Sequence, residues 1–215
     1  VSLSFPFYMA SLAALIAGII SLIILPDIKN TVSEIPSEPK KRENIITQMK
    51  NSVKTPYFMM LIIIFVFTFG IANFQTTFSL YVDHKYNYTP QDIAVVLTVG
   101  GFIGVIVQTL VVEKLFKRFG ELNVILVNLV VAAIAFLLFF VVDGFALVLL
   151  VASIFSTATT LIRPAVNTVI SKMAGNEQGL AAGMNNAYMS LGSMIGPALA
   201  GVFFDINISY RFIVC

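Results

Sequence analysis

The sequence predicts an all-α polytopic membrane protein, and three observations support this class. First, 58% of the 215 residues are hydrophobic and only 11% are charged, less than half of the charged share of about 25% found in soluble domains. Second, successive runs of about 20 apolar residues are each long enough to span a bilayer. Third, Lys and Arg concentrate in alternate connections between these runs, as the positive-inside rule requires.

The first predicted span is Phe5–Leu25, and five more follow a polar segment. These five are apolar runs separated by short connections, and they cover Tyr57–Val82, Ile93–Leu115, Leu122–Val142, Phe145–Ile170 and Leu180–Phe204. A further run begins at Ile208 and is incomplete at Cys215. Because the chain begins with Val1 and stops inside an apolar run, we expect it to be part of a longer protein.

The polar segment at residues 26–56 differs in kind from the spans. Its stretch EIPSEPKKRE is Pro-broken and mixed in charge, which is typical of a flexible linker. Its basic residues place it in the cytoplasm, together with the connections Lys114–Glu121 and Met173–Gly179. A short amphipathic helix is expected over Ile45–Val53, on the membrane surface. The domains are therefore residues 1–25 from one helical bundle, a linker at 26–56 and a second bundle at 57–215.

Composition argues against several functions. The net charge of +2 is too small to suggest nucleic-acid binding. One His and one Cys, His84 and Cys215, cannot build a metal site or an intrachain disulfide. No phosphate-binding glycine motif or nucleophile elbow is present. We therefore expect no enzymatic activity, no metal and no bound cofactor.

Several stretches carry a family resemblance. VEKLFKRFGEL, Val112 to Leu122, resembles a degraded copy of the Gly-x-x-x-Asp-Arg-x-Gly-Arg-Arg loop of the major facilitator superfamily. Its acid-basic-basic-Gly order is kept in Glu113, Lys117, Arg118 and Gly120. LGSMIGPALAGVFFD resembles the Gly-Pro-rich helix of drug/proton antiporters. SLYVDHKYNYTPQDI, IRPAVNTVISKMAGNEQG and IGPALAGVFFD resemble NorA-type multidrug (quinolone) efflux pumps of Gram-positive bacteria.

This resemblance implies an alternating-access transporter of twelve helices in the bacterial plasma membrane. The chain would supply the sixth helix and the C-terminal six-helix bundle, truncated in the last helix. Amphipathic, often cationic, drugs would bind between the two bundles near the membrane midplane. Export would use the proton gradient as its energy source. The expected partners are the lipid bilayer, a small amphipathic substrate and the N-terminal half of the same protein.

The stretch FGIANFQTTFSLY is unusually polar for a predicted span. At about 100° per residue, Asn73, Thr76 and Thr77 share one face, while Gln75 and Ser79 lie on another. Both patches could serve interhelical hydrogen bonds, but two polar faces favour a cavity wall for Gln75 and Ser79. The resembled pumps carry carboxylates linked to proton coupling at the positions of Gln75 and Thr160, and this sequence has neither.

Arg163 is the strongest candidate for a functional charge inside a span. A fixed charge at this depth costs about 3 kcal/mol or more unless it is paired or hydrated, and the adjacent Pro164 can kink the helix. The Arg could snorkel toward the headgroups, or it could pair with an acid of the other half or with an anionic substrate group. The resembled pumps carry Arg-Pro at this position, which favours the interior role.

The span Leu180–Phe204 adds Asn186, Met189 and Ser193 on one face as cavity candidates. Small residues that let helices approach closely are expected to serve packing, and they are Gly100, Gly104, Gly192, Gly196 and Pro197. Gln108 is expected to be buried and to bond across helices. The residues Glu113, Lys117, Arg118 and Gly120 would form the superfamily's gating loop.

Two alternatives stay open. A selective permease for a sugar or another metabolite would share the same fold and membrane topology. A membrane sensor or scaffold that has lost transport is suggested by the missing interior acids, since the acids of the C-terminal bundle lie near helix ends. Interior Asp or Glu in the first six helices would favour transport.

Overall fold

The computed structural model describes residues 5–24 and 45–206. Regular structure in these residues is helical throughout, which confirms the predicted all-α class. The long helices are α1 (Phe5–Ile24), α3 (Phe58–Tyr86), α4 (Pro90–Leu110), α6 (Glu121–Val141), α7 (Phe145–Ala174) and α8 (Gln178–Ile206), and the short ones are α2 (Ile45–Ser52) and α5 (Val112–Phe119). A 3-10 turn at Gly175–Glu177 joins α7 to α8. The run that begins at Ile208 lies outside the described residues.

The chain forms two compact units, Val1–Glu43 and Asn44–Cys215. In the first unit, α1 is a 20-residue apolar helix whose described side chains are exposed. In the second unit, α2 packs against α8, because the Ser52 hydroxyl lies 2.9 Å from the Tyr188 hydroxyl. The expected helix after Ile45 therefore exists, and it groups with the following bundle and not with the preceding residues.

Within residues 5–24 and 45–206, five stretches are long and apolar enough to cross a membrane. The first four lie within α1, α3, α4 and α6, and the last, Phe145–Gly201, covers α7 and α8 as far as Gly201. The predicted spans correspond to these helices within a few residues at most ends. The chain is therefore a multi-pass membrane protein.

The largest departure from the predicted spans concerns Ile93–Leu115 and the loop after it. α4 begins earlier, at Pro90, because Thr89 and Asp92 form a capping box. It ends at Leu110, and residues 112–119 form the separate helix α5 where the sequence predicts a loop. The apolar and charged side chains of α5 separate to opposite sides, an arrangement that suits the membrane–water boundary better than its interior.

Two clusters of buried apolar side chains hold the second unit together, one toward each end of α3 and α7. The first cluster joins Leu61 of α3 to Ile162 and Val166 of α7. The second joins Phe78 of α3 to Val148 and other residues of α7.

Candidate functional site

A cavity of about 510 Å³ opens between α3, α4 and α7. α3 contributes Gln75, α4 contributes Gln108, and α7 contributes Thr160 and Arg163. Most of the other lining side chains are apolar, mainly aromatic and aliphatic residues of α3 and α7. The structure therefore brings together three residues that the sequence singles out separately, Gln75, Thr160 and Arg163.

The polar part of the wall on α7 follows the helical period. Ser156, Thr159, Thr160 and Arg163 occupy positions i, i+3, i+4 and i+7, which lie along one face of a helix. The Ser156 hydroxyl donates a hydrogen bond of 2.9 Å to the Gly100 carbonyl of α4. This bond fixes the edge of the cavity where α4 and α7 meet.

Gly100 and Gly104 let α4 approach this polar stripe closely. A Cβ atom at Gly104 would lie 2.8 Å from Oγ1 of Thr160, and one at Gly100 would lie 3.3 Å from Cβ of Ser156. The space left by the missing side chains is therefore filled by the hydroxyl-bearing residues of α7. Gly100 and Gly104 therefore pack directly against residues that line the cavity.

Arg163 also lines a second, more open pocket of about 580 Å³. Its other wall comes from α8 through Asn186, Met189 and Ser193. Six of the seven predicted cavity residues thus fall into two pockets that share Arg163. The seventh, Ser79, is half-buried and lines neither of these two pockets.

Both interior prolines lie four residues after a pocket-lining hydroxyl residue. Pro164 follows Thr160, and Pro197 follows Ser193, and both prolines sit inside continuous helices. Because proline has no N–H, the carbonyl groups of Thr160 and Ser193 do not receive the usual i+4 helical hydrogen bond.

The polar patches of α3 have different environments. Gln75 is exposed and lines the cavity, whereas Asn73 and Thr77 are buried. Asn73 donates to the Phe69 carbonyl at 3.0 Å and Thr77 donates to the Asn73 carbonyl at 2.9 Å. The buried patch thus donates hydrogen bonds to its own helix, while the side-chain oxygen of Asn73 has no hydrogen-bond partner among the described residues.

The buried patch lies at a close seam between α3 and α8. A Cβ atom at Gly192 would lie 2.6 Å from the Phe65 carbonyl oxygen, and one at Gly196 would lie 2.9 Å from the Phe69 carbonyl oxygen. Both distances are too short for a side chain to fit. The absence of side chains at these two positions lets the two backbones touch.

The predicted gating residues lie on α5 and at its end. Glu113 and Lys117 pair with each other at 2.6 Å, one helical turn apart. This hydrogen bond and the positive charge of Lys117 hold the pKa of Glu113 below its ordinary value. Arg118 is exposed beside Phe119, and Gly120 ends the helix with a φ of 77°, a backbone conformation that favours glycine.

Three pocket-lining polar residues were not among the predicted site residues. Gln108 is exposed to the cavity, which corrects the expectation that it is buried, and Ser156 and Thr159 extend the stripe on α7. The spacing was visible in the sequence, since Gly100, Gly104 and Gln108 recur every four residues. It did not reveal which neighbouring helix this face would meet.

Comparison with known proteins establishes the family. The family model described as Major Facilitator Superfamily matches residues 1–214. The chain belongs to the major facilitator superfamily. The resemblance read from the sequence is thereby confirmed, and transporters rather than enzymes make up this family.

Individual relatives of this superfamily member are multidrug and quinolone resistance proteins. Multidrug resistance protein 2 of Bacillus subtilis (strain 168) is 42% identical over 209 residues, or 97% of this chain and 52% of the relative. Multidrug resistance protein 1 of the same strain is 36% identical, with 96% and 52% covered. Quinolone resistance protein NorA of Staphylococcus aureus (strain MRSA252) is 32% identical, with 97% and 52% covered. The chain spans about half the length of these curated relatives.

Proposed function

We propose that this chain is the C-terminal helical bundle, with the preceding helix and linker, of a bacterial exporter of amphipathic drugs. The complete transporter would hold twelve helices in two bundles in the plasma membrane and would work by alternating access, with proton entry driving export. The observation that carries the proposal is the cavity in which Gln75, Thr160 and Arg163 meet. The similarity to multidrug resistance proteins also supports a function in drug transport.

The chemistry of the cavity wall suits substrates of varied shape. Phe67, Phe74 and Phe155 offer broad apolar contact, while amide and hydroxyl groups offer adaptable hydrogen bonds. Met189 in the adjoining pocket adds a flexible apolar side chain. Gln75 and Thr160 do not titrate in the physiological range, so this wall would contact substrate while acids elsewhere in the complete transporter carry the protons.

The test uses cells that produce the complete transporter and accumulate a fluorescent amphipathic dye. Proton-coupled export predicts low dye accumulation that rises several-fold when an uncoupler collapses the proton gradient. The Arg163→Ala variant should accumulate as much dye as cells without the transporter, while its abundance in the membrane stays unchanged. Saturable transport of a single sugar or metabolite with no effect on dyes would favour a selective permease, and normal dye export by Arg163→Ala would contradict the proposed role of the cavity.

A further inference from the structure

The last turn of α6 has no side chain of its own that can cap it. Its residues Phe139, Phe140 and Val141 are apolar and donate no hydrogen bonds. The backbone N–H of Val142 bonds to the Leu138 carbonyl, so the carbonyl groups that follow need donors from outside the helix. This turn lies at the end of a membrane span, where unsatisfied carbonyl groups are costly.

Two tyrosines of α3 supply hydroxyl donors to this turn. The Tyr81 hydroxyl donates to the Phe139 carbonyl at 2.9 Å. The Tyr86 hydroxyl donates to the Val142 carbonyl and lies 3.4 Å from the Phe139 carbonyl oxygen. Both tyrosines are half-buried, and their rings meet edge to face. These hydrogen bonds are therefore partly shielded from water.

Lys85 adds a positive charge to the same turn. Its ammonium group donates to the Phe140 carbonyl at 3.0 Å, and its nitrogen lies 4.8 Å from the centre of the Tyr86 ring. It also pairs with the exposed carboxylate of Asp143 at 3.6 Å. Because the C-terminal end of a helix carries a partial negative charge, a cation in this place stabilises α6. We call Tyr81, Lys85 and Tyr86 the α6 cap.

The α6 cap is connected to the cavity wall through Phe139. The Phe139 side chain is buried, and the centre of its ring lies 5.8 Å from that of Phe74. The ring of Phe74 lies 4.4 Å from that of Phe155, and both of these rings line the cavity that contains Gln75. The residue whose carbonyl group Tyr81 binds therefore carries a ring that supports this wall.

We propose that Tyr81, Lys85 and Tyr86 are positioning residues for the aromatic wall of the cavity. They cap α6 and so fix the backbone of Phe139, whose ring holds Phe74 in the orientation that contacts the flat apolar part of a substrate. The free space among these rings is about 20 Å³, so a shift of one ring displaces the others. This inference rests on the proposed export function and identifies what sets the shape of its binding wall.

Hydrogen exchange of the purified complete transporter tests the α6 cap. Tyr81→Phe and Lys85→Met each remove a hydrogen bond from the cap and should speed amide exchange at residues 136–143 about fivefold. Exchange near Glu121, at the other end of α6, should stay unchanged. Lys85→Arg keeps a positive charge and N–H donors and should retain most of the protection. Each variant is first checked for a single symmetric peak in gel filtration.

Two control variants separate the α6 cap from other contacts at the same end of the bundle. Tyr88→Phe removes a buried hydroxyl group that has no hydrogen-bond partner among the described residues, so exchange at residues 136–143 should not change. Asp143→Asn removes an exposed carboxylate that pairs with Lys85 and should also have little effect. If Asp143→Asn has the same effect as Lys85→Met, the ion pair stabilises this turn and the capping role is wrong.

Dye binding to the same transporter tests the positioning role. The dissociation constant of rhodamine B, an amphipathic dye with fused aromatic rings, is measured by fluorescence anisotropy. Tyr81→Phe should weaken dye binding about threefold to fivefold. The same change should have no further effect in a Phe74→Ala background, because its effect passes through the Phe74 ring. Tyr88→Phe should leave dye binding unchanged.

The outcomes are distinguishable. Faster exchange at residues 136–143 with unchanged dye binding would overturn the positioning role, and unchanged exchange in Tyr81→Phe and Lys85→Met would overturn the α6 cap. Equal weakening of dye binding by Tyr81→Phe with and without Phe74→Ala would also contradict the proposal. Failure of wild type to bind or export rhodamine B would contradict the proposed function itself, whereas the exchange measurement does not depend on the dye.

Discussion

Two pairs of helices in the bundle are in close contact at glycines four residues apart. At the α3–α8 seam the glycines are Gly192 and Gly196 of α8, and at the α4–α7 seam they are Gly100 and Gly104 of α4. The two pairs of glycines contact different kinds of atoms. At the α3–α8 seam, a Cβ atom on Gly192 would collide with the backbone of Phe65 and Phe69. At the α4–α7 seam, a Cβ atom on Gly104 would meet the side-chain hydroxyl of Thr160. A backbone within a helix cannot move aside without disturbing its neighbours, whereas a side chain can rotate.

This difference indicates that the two helix contacts have different roles in the bundle. The α3–α8 seam is a contact between backbones, and its glycines, Gly192 and Gly196, line neither of the Arg163 pockets. The α4–α7 seam is filled by Ser156 and Thr160, which also line the cavity. Changes at the first seam should act on stability, and changes at the second should act on both packing and substrate binding.

The largest effect is expected from Gly192→Ala. The new Cβ atom would lie 2.6 Å from the Phe65 carbonyl oxygen and 2.9 Å from the Phe69 nitrogen, so α3 and α8 must separate at a cost of about 1–3 kcal/mol. We expect a clear fall in the midpoint of thermal unfolding, measured in detergent by intrinsic fluorescence. Gly183→Ala is the matched control on the same helix, because nothing lies within 4 Å of its added Cβ atom. A stable Gly192→Ala variant would contradict the backbone contact.

A smaller effect of roughly 1 kcal/mol is expected from Gly104→Ala, since the Thr160 side chain can adjust. The double variant Gly104→Ala with Thr160→Ala should recover most of the lost stability, because the two residues share one contact. Gly101→Ala provides the control on α4, as its Cβ atom meets nothing within 4 Å. Additive losses in a double-mutant cycle would show that the two residues do not interact.

The smallest effect is expected where α2 meets α8, away from both glycine seams. Ser52→Ala removes the hydroxyl contact of 2.9 Å with Tyr188, and a hydrogen bond at the weak end of the usual range contributes about 0.5 kcal/mol. Tyr188→Phe removes the same contact from the other side, so adding Tyr188→Phe to Ser52→Ala should cost no further stability. Independent losses would mean that the hydroxyl groups act through other partners, such as the Met49 carbonyl that also accepts from Ser52 at 2.6 Å.

Most of the fold was predictable because bilayer thickness sets a length that apolar runs must reach. The boundary of α4 was less predictable, since the capping box of Thr89 and Asp92 extends the helix beyond its apolar run. The sequence predicts a loop where α5 lies, because four of the eight residues of this amphipathic helix are charged. Hydropathy marks spans well but does not distinguish a polar loop from a short interfacial helix.

The site residues were predictable one by one, but their grouping was not. Gln75 and Arg163 are 88 positions apart in the chain, and only the packing of α3, α4 and α7 brings them into one cavity. Ser79 shares the predicted face of Gln75, yet it lies one turn closer to the helix end and lines neither of the Arg163 pockets. Helical period fixes a direction around the axis, and tertiary contacts decide what lies in that direction.

Protection of a cysteine at Gln75 by substrate tests the central claim most directly. Gln75→Cys is introduced into a cysteine-free complete transporter, and its rate of reaction with a maleimide is measured with and without rhodamine B. The account predicts that the dye slows this reaction and does not slow that of Asp143→Cys, whose parent side chain is 81% exposed outside the spans. An unchanged rate at Gln75→Cys, under conditions where the dye is exported, would contradict a substrate site on this wall.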